Sequence, residues 1–422
     1  MSTSAFRLEL HRATESDWPD IFVNDARAFL QPGPPPAAEQ AKARAMFGDG
    51  DVVVVRDPGI TTGQSLAGVA AFYRMRITVP GTPAPVARAA GLSWVSVAAT
   101  HRRRGVLRAM MSDLFDQWEA ENFPFAILTA TEATIYERFG FGPACLADKY
   151  TITLDKAHLR AEQDSSGAAT VTFAAAADVM KILPALHDRW TSTRPGAVHR
   201  DEPHWRTLVR GYDAESAPHR SAGHYLLHRD GYAHYRTIDE PENTENSGAY
   251  AARAEVDEFF ATTDEAHREL WRVLLNLDLV TTVSVDVPTD DPLPLAVTDM
   301  RSVDVTGRDD KLWLRILDVP AALTMRGYRG DLDVVIDVED RSRDRGGTFR
   351  LQVSDGVAQV SASSAEPVVR LDISVLASLY LGAFTPSMTA AAGRLWTAGP
   401  DITAALDRAW ATDRAPFAGT YF

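Results

Sequence analysis

Apolar residues recur along this chain with two periods, and each change of period marks the edge of an element. Phe6–Leu10 alternates in polarity and predicts a strand. Helical spacing follows over Trp18–Leu30. Gln31–Pro36, with four prolines, must be a loop, because proline donates no backbone hydrogen bond. Strands are predicted at Asp51–Arg56, Ser65–Val79 and Gly91–Val97. Leu107, Met110, Met111, Leu114, Phe115 and Trp118 then fall on one face of a helix. The apolar run Phe125–Thr129 predicts a buried strand, and Glu132–Phe139 a short helix.

The same order returns further on, with a strand at Tyr250–Phe260, a helix at Asp264–Leu277 and a strand at Thr281–Val287. This is a degenerate internal repeat of Gly91–Thr129. A polar stretch, Glu162–Gly167, and a proline-interrupted one, Asp290–Pro294, bracket that second unit. Beyond it, Leu312–Ile316 predicts a strand and Val319–Gly327 a helix closed by glycine. Thr348–Val353 and Val357–Ser361 flank Asp355-Gly356, a strong hairpin signal. Asp372 precedes a helix at Val375–Leu381. The chain therefore reads as α+β in three domains, 1–150, 151–295 and 296–422. Its 422 residues exceed the roughly 250–300 at which a single core stops growing.

Composition narrows the class. No stretch approaches the ~20 uncharged apolar residues of a membrane span, and Met1–Glu15 has no signal-peptide pattern. Cys145 is the lone cysteine, so no intramolecular disulfide forms, which fits a reducing, cytoplasmic setting. The net charge of −14 argues against nucleic-acid binding and favours cationic small partners, although solubility alone would explain it equally well. His101, His199, His204 and His267 show no metal-ligand spacing, and no metal is expected.

The chemistry concentrates between strand and helix, in Thr100–Gly105. A strand running into a helix through a glycine-containing turn leaves free N–H groups at the positive end of the helix dipole. Arg102, Arg103 and Arg104 suit that end poorly unless an anion neutralises them. The residues alone allow either an anion site or a solvated basic turn.

Val97–Leu107 resembles the acetyl-CoA motif of the GNAT acetyltransferases, Arg/Gln-x-x-Gly-x-Gly/Ala. Arg102 and Gly105 match its first two fixed positions, and Leu107 departs from the small third one. That departure is similar to the enhanced intracellular survival (Eis) family. Thr78–Gly81, Tyr136–Pro143, Asp291–Pro294, Leu312–Ile316, Val319–Leu323 and Leu379–Ala383 follow in that family's order.

The resemblance implies two tandem GNAT domains, a sterol-carrier-protein-like domain and assembly as a homohexamer. It implies acetyl-CoA bound by Val95, Val97, Arg102, Arg103, Arg104, Gly105 and Val106, with Thr131 beside its arm. It implies Tyr136 as general acid and the carboxylate of Phe422 as base. Asp25 is the implied substrate acid; Trp94 and Trp205 are candidate substrate contacts through their aromatic faces, and a core role fits both equally well. The implied activity is acetylation of amines on polycationic small molecules, including aminoglycosides, with loose regioselectivity. The central repeat has acids in its turn, Thr262–Ala266, so one cofactor site per chain is expected. Two other readings stay open: a protein or peptide lysine acetyltransferase, and a lipid-binding or scaffold protein.

Overall fold

The computed structural model describes residues 8–160, 171–213, 221–240, 251–343 and 345–422. Phe6, Arg7, Tyr250 and the polar stretch Glu162–Gly167 lie outside the described residues.

The first domain begins with β1 (Glu9–Arg12), α1 (Trp18–Ala28) and α2 (Ala37–Arg44). Strands β2 (Val52–Arg56), β3 (Leu66–Thr78) and β4 (Val86–Val97) follow, and β1 to β4 are antiparallel neighbours. The helix α3 (Val106–Ala120) then crosses over to β5 (Phe125–Leu128), which runs parallel to β4. The apolar face of α3 buries Met110, Met111, Leu114, Phe115 and Trp118 against Phe72, Ala90 and Leu92. On the opposite face α1 buries Ile21 and Phe22 against Val52, Val54, Val69 and Ala71. Residues 133–139 form two 3-10 turns, Ala133–Ile135 and Glu137–Phe139, where the sequence predicts a short helix. Gly140, at φ +79°, ends them before β6 (Gly142–Thr153).

The central domain comprises β7 (Thr172–Phe173), α4 (Ala176–Thr191), β8 (Val198–His199), α5 (Glu202–Asp213), β9 (His224–His228), β10 (Gly231–Asp239), β11 (Ala252–Ala261), α6 (Asp264–Leu274) and β12 (Val280–Pro288). The strands β11 and β12 are parallel, so the crossover of the first domain recurs here. Past α7 (Leu293–Ala296), β13 (Val303–Ile316) pairs on one edge with β5 and on the other with β6. Leu312–Ile316 thus belongs to the large sheet rather than opening the third unit, as its sequence position suggests. Alternation alone carries no record of which sheet a strand joins. The two repeats share one 13-stranded sheet.

The third domain, α8 (Val319–Met325) onward, is built on a separate five-stranded sheet. It contains β14 (Leu332–Glu339), β15 (Gly347–Ser354), β16 (Val357–Ala362), β17 (Val369–Asp372), α9 (Ile373–Tyr380), α10 (Pro386–Ala391), β18 (Leu395–Thr397) and α11 (Pro400–Trp410). Asp355 and Gly356 turn the β15–β16 hairpin with φ of +52° and +79°. Asp372 caps α9 by accepting from the Ser374 N–H, and every residue of that helix is buried. Arg343 reaches Asp116 and Glu119 on α3, and Arg394 reaches Glu137, which docks this domain beside the first. After α11 the chain returns to the first two domains.

Candidate active site

The site lies where β4 and β5 part. Their pairing stops at Gly91 opposite Ile127, yet β4 continues to Val97. Among the described residues, Leu92–Val97 therefore have β3 along one edge and no strand along the other. A bulge accompanies the fork, since Ser93 pairs with Ala71 and Ser96 with Val69, leaving Trp94 and Val95 opposite one residue. Trp94 takes φ +55°, which swings its ring off the strand. Val95 and Val97 are half-buried against the α3 core and leave their backbone groups to the fork.

The turn into α3 is shaped for an anion. Arg103 and Gly105 both have positive φ, +64° and +82°. That conformation turns successive N–H groups to one side, and glycine adopts it without cost. Gly105 is the N-cap, no side chain caps the helix, and its first turn holds no acid. Arg102, Arg103 and Arg104 are exposed before it, whereas Val106 is buried and offers only its backbone. The turn is braced from β2, because buried His101 lies 3.2 Å from Asp57 and 2.8 Å from the Thr100 hydroxyl. Asp57 also lies 3.6 Å from Arg104. The Gly59 N–H, the His101 ring and Arg104 together hold the Asp57 carboxyl below its ordinary range. Sequence alone gave no sign of this brace. Thr131 is exposed in the turn just past β5.

Tyr136 sits between the two 3-10 turns and is buried among the residues that line α3. Burial pushes its phenol up to about 12, and Glu132 adds to the shift. It is therefore protonated at neutral pH.

The chain's last described residue closes the other side of the fork. The Phe422 ring packs beside Met75, its Cε2 3.1 Å from where a side chain on Gly91 would begin. The Phe422 main-chain oxygen accepts from the Thr129 hydroxyl at 3.1 Å, immediately past the end of β5. Tyr421 faces solvent.

Next to Phe422 lies a ring of aromatic side chains. Tyr73, opposite Gly91 on β3, stacks on Phe47 at 4.7 Å and meets the His204 ring at 5.4 Å. Trp94 donates its indole N–H to the Tyr73 hydroxyl at 3.2 Å and sits edge-on to Phe22 and Phe47. Burial raises the Tyr73 phenol to about 12, and the charge of nearby Asp25 adds to that rise. Burial likewise lifts the Asp25 carboxyl to about 6. Asp25 and Trp94 thus lie about Tyr73, whose strand partner Gly91 has Phe422 beside it. Trp205 packs instead with His187 and Arg200 and lines an opening of about 510 Å³ between α4 and α5. Its neighbour His204 is the α5 residue that reaches Tyr73. Tyr73 was legible only as a strand residue. Its partners come from β4, the segment after α2 and α5, so no sequence spacing marks it.

Parting parallel strands, a bulge at the fork and an uncapped helix start define an acetyltransferase of the GNAT type. Comparison agrees: residues 9–144 and 196–316 match acetyltransferase (GNAT) domain models, and 319–419 a sterol carrier protein domain. The chain is 38% identical to N-acetyltransferase Eis of Mycobacterium tuberculosis, over 95% of this chain and 96% of that protein. It is 32% identical to an uncharacterized N-acetyltransferase of Streptomyces griseus, over 83% and 85% of the two chains. The crystal structure of Eis1 from Mycobacterium abscessus superposes with a TM-score of 0.84 at 30% identity, covering 99% of this chain and 100% of that one. A GCN5-related N-acetyltransferase from Anabaena variabilis shares the fold, with a TM-score of 0.79 at 18% identity over 99% and 100% of the two chains. The chain belongs to the Eis family of N-acetyltransferases. Acetyl-CoA use follows from that fold, and no helix among the described residues is long and apolar enough to cross a membrane.

Proposed function

We propose that this enzyme transfers acetyl from acetyl-CoA to amines of polycationic small molecules, aminoglycosides among them. The observation that carries this reading is the convergence of two acids, Asp25 and Phe422, beside the β4–β5 fork. One draws in a cation and the other removes a proton. Aromatic faces at Trp94 and Tyr73 suit an alkylammonium group.

The turn Arg102–Gly105 would hold the pyrophosphate of acetyl-CoA, and the free edge of Leu92–Val97 would bond its arm, beside Thr131. Acetyl-CoA supplies the thioester acyl group. The Phe422 carboxylate accepts the amine's proton, kept in place by Thr129. Tyr136 keeps its own proton until a thiolate departs beside it. Its raised pKa makes it a weak acid, so donation accompanies C–S cleavage. The N–H groups on the edge of β4 that β5 leaves would donate where a carbonyl oxygen gains charge.

Small amines are favoured over protein lysines in this reading, since Phe22 of α1, His204 of α5 and Phe422 crowd the residues about Trp94, Tyr73 and Gly91. A lipid role finds no support in the third domain's apolar hole at Leu376, Leu379 and Trp410. It measures about 10 Å³, the limit for one water. The test is thiol release from acetyl-CoA with an aminoglycoside, a polyamine and a lysine peptide. Turnover of the first two at several amines is expected. Turnover of the peptide alone would overturn the substrate class.

A further inference from the structure

The stretch that carries Phe422 into the site has no regular secondary structure, yet Ala418 and Thr420 are buried. The central domain grips it at nearly every step. Arg194 donates to the Ala415 carbonyl at 2.8 Å, and the Ala415 N–H donates to Asp290 at 2.9 Å. The Phe417 N–H donates to the Pro195 carbonyl, and the Val198 N–H to the Ala418 carbonyl, both at 3.0 Å. The gripping segment is itself tied to the site, because β8 pairs with β3 at Ile77 and Arg76, beside Met75.

The last hold before the terminus is Arg200. Its Nη2 donates to the Gly419 carbonyl at 2.6 Å and its Nε to the Thr420 hydroxyl at 2.8 Å. Glu258 pairs with it at 2.5 Å, both side chains being almost wholly buried, and the other Glu258 oxygen accepts from Tyr232 at 3.0 Å. The guanidinium lies over the rings of Trp205 and Phe260, 4.8 and 5.6 Å from their centroids. Gly419 turns with φ +64°, and a side chain there would begin 2.5 Å from Trp190 and 2.8 Å from Phe260. The turn can therefore neither slide nor relax.

A buried ion pair is a poor source of stability, because desolvation consumes most of the attraction. What this pair provides is geometry: a planar, multiply bonded fork holding two consecutive residues of the tail. We propose that Arg200, oriented by Glu258, is a positioning residue for acetyl transfer. It fixes the turn at Gly419-Thr420 and so places the Phe422 carboxyl against Thr129. The central repeat then serves the reaction without binding cofactor. Displacement of a reacting group by about 1 Å is enough to cost on the order of 100-fold in rate. The proposal rests on reading the Phe422 carboxylate as the base.

The experiment uses the full-length chain and steady-state kinetics with acetyl-CoA and an aminoglycoside. Arg200→Lys keeps a charge for Glu258 but loses the two-pronged hold on the tail. Thr420→Val removes the hydroxyl that accepts from Arg200 and donates to the Val198 carbonyl at 3.4 Å, and leaves the ion pair. We expect kcat to fall about 10- to 100-fold in Arg200→Lys and about 3- to 10-fold in Thr420→Val. The KM for acetyl-CoA should be unchanged in both, and carboxypeptidase should digest their C-termini faster than the parent's. If Arg200→Lys does not fold, Thr420→Val decides alone. Deletion of Phe422 separates the two ideas. If the deletion abolishes turnover while both variants keep the parent's kcat, the positioning role is overturned and the base stands. If the deletion leaves kcat intact, the base reading falls and this proposal with it.

Discussion

The helices α3 and α6 occupy the same station in two copies of one crossover, and their first turns are built in opposite senses. The first starts at Gly105 with three exposed arginines before it, no cap and no acid. The second starts at Thr263, whose hydroxyl accepts from the Ala266 N–H at 3.2 Å, and continues with Asp264 and Glu265. One leaves its N–H groups and dipole unspent, and the other satisfies both from its own chain. The forks differ likewise. The pairing of β11 with β12 ends at Val256 opposite Val285, as that of β4 with β5 ends at Gly91. Beyond Val256, however, Phe259 stacks on Trp271 at 4.9 Å and meets His267, which bonds Asp291 from past β12 at 3.1 Å. Side chains fill the second fork, whereas the first receives Phe422. A duplicated fold keeps its shape while one copy trades ligand groups for self-satisfaction.

Three measurements would break or sharpen that contrast. The largest effect belongs to Tyr136→Phe, which keeps the buried ring and removes the acid. We expect kcat to fall on the order of 10²- to 10⁴-fold in a thiol-release assay, with the KM for acetyl-CoA little changed. His267→Ala at the second fork should leave kcat alone.

Next comes Asp25→Asn. At pH 8 it should lower kcat/KM for a polycationic amine by roughly 10- to 100-fold, the worth of a charge-assisted hydrogen bond. The advantage of the parent should vanish as pH falls through about 6, where burial returns the proton to Asp25. The sign is that of a raised carboxyl: the folded state binds the proton more tightly than the unfolded chain, so stability is lost as pH rises from about 4, the unfolded value, to about 6. A parallel pH profile in the variant would refute the assignment.

The smallest effects compare the two helix starts. Gly105→Ala must adopt φ +82° with a side chain, a cost of about 1–2 kcal/mol, and should raise the KM for acetyl-CoA by roughly tenfold. Thr263→Ala should leave that KM unchanged and lower the urea midpoint of unfolding, in line with about 1 kcal/mol for a lost N-cap. Equal KM values in both variants and the parent would remove the cofactor from Gly105.

Local features were legible because they need only near neighbours. The face Leu107–Trp118, the hairpin at Asp355-Gly356 and the acidic start of α6 are each written within about a dozen residues. The arginine-glycine turn could be located by spacing, but its meaning stayed divided until the positive φ of Arg103 and the free strand edge were seen. Tyr73, His204 and Thr129 were missed, since a tyrosine on a strand or a histidine on a helix has no local mark of function. Trp205 could be read from the sequence as a cavity wall or as a core residue, and the structure packs it with Arg200 and His187.

By itself the sequence determined the strand–helix–strand order of both repeats, the basic glycine turn before α3 and its acidic counterpart before α6, because propensity, capping and charge act over a few bonds. Only the tertiary structure decided that β13 inserts between β5 and β6, that the fork opens at Gly91 and that Phe422 arrives there. Those outcomes depend on contacts between residues tens to hundreds of positions apart, whose cost in chain entropy is met only when the whole sheet and its covering helices form together.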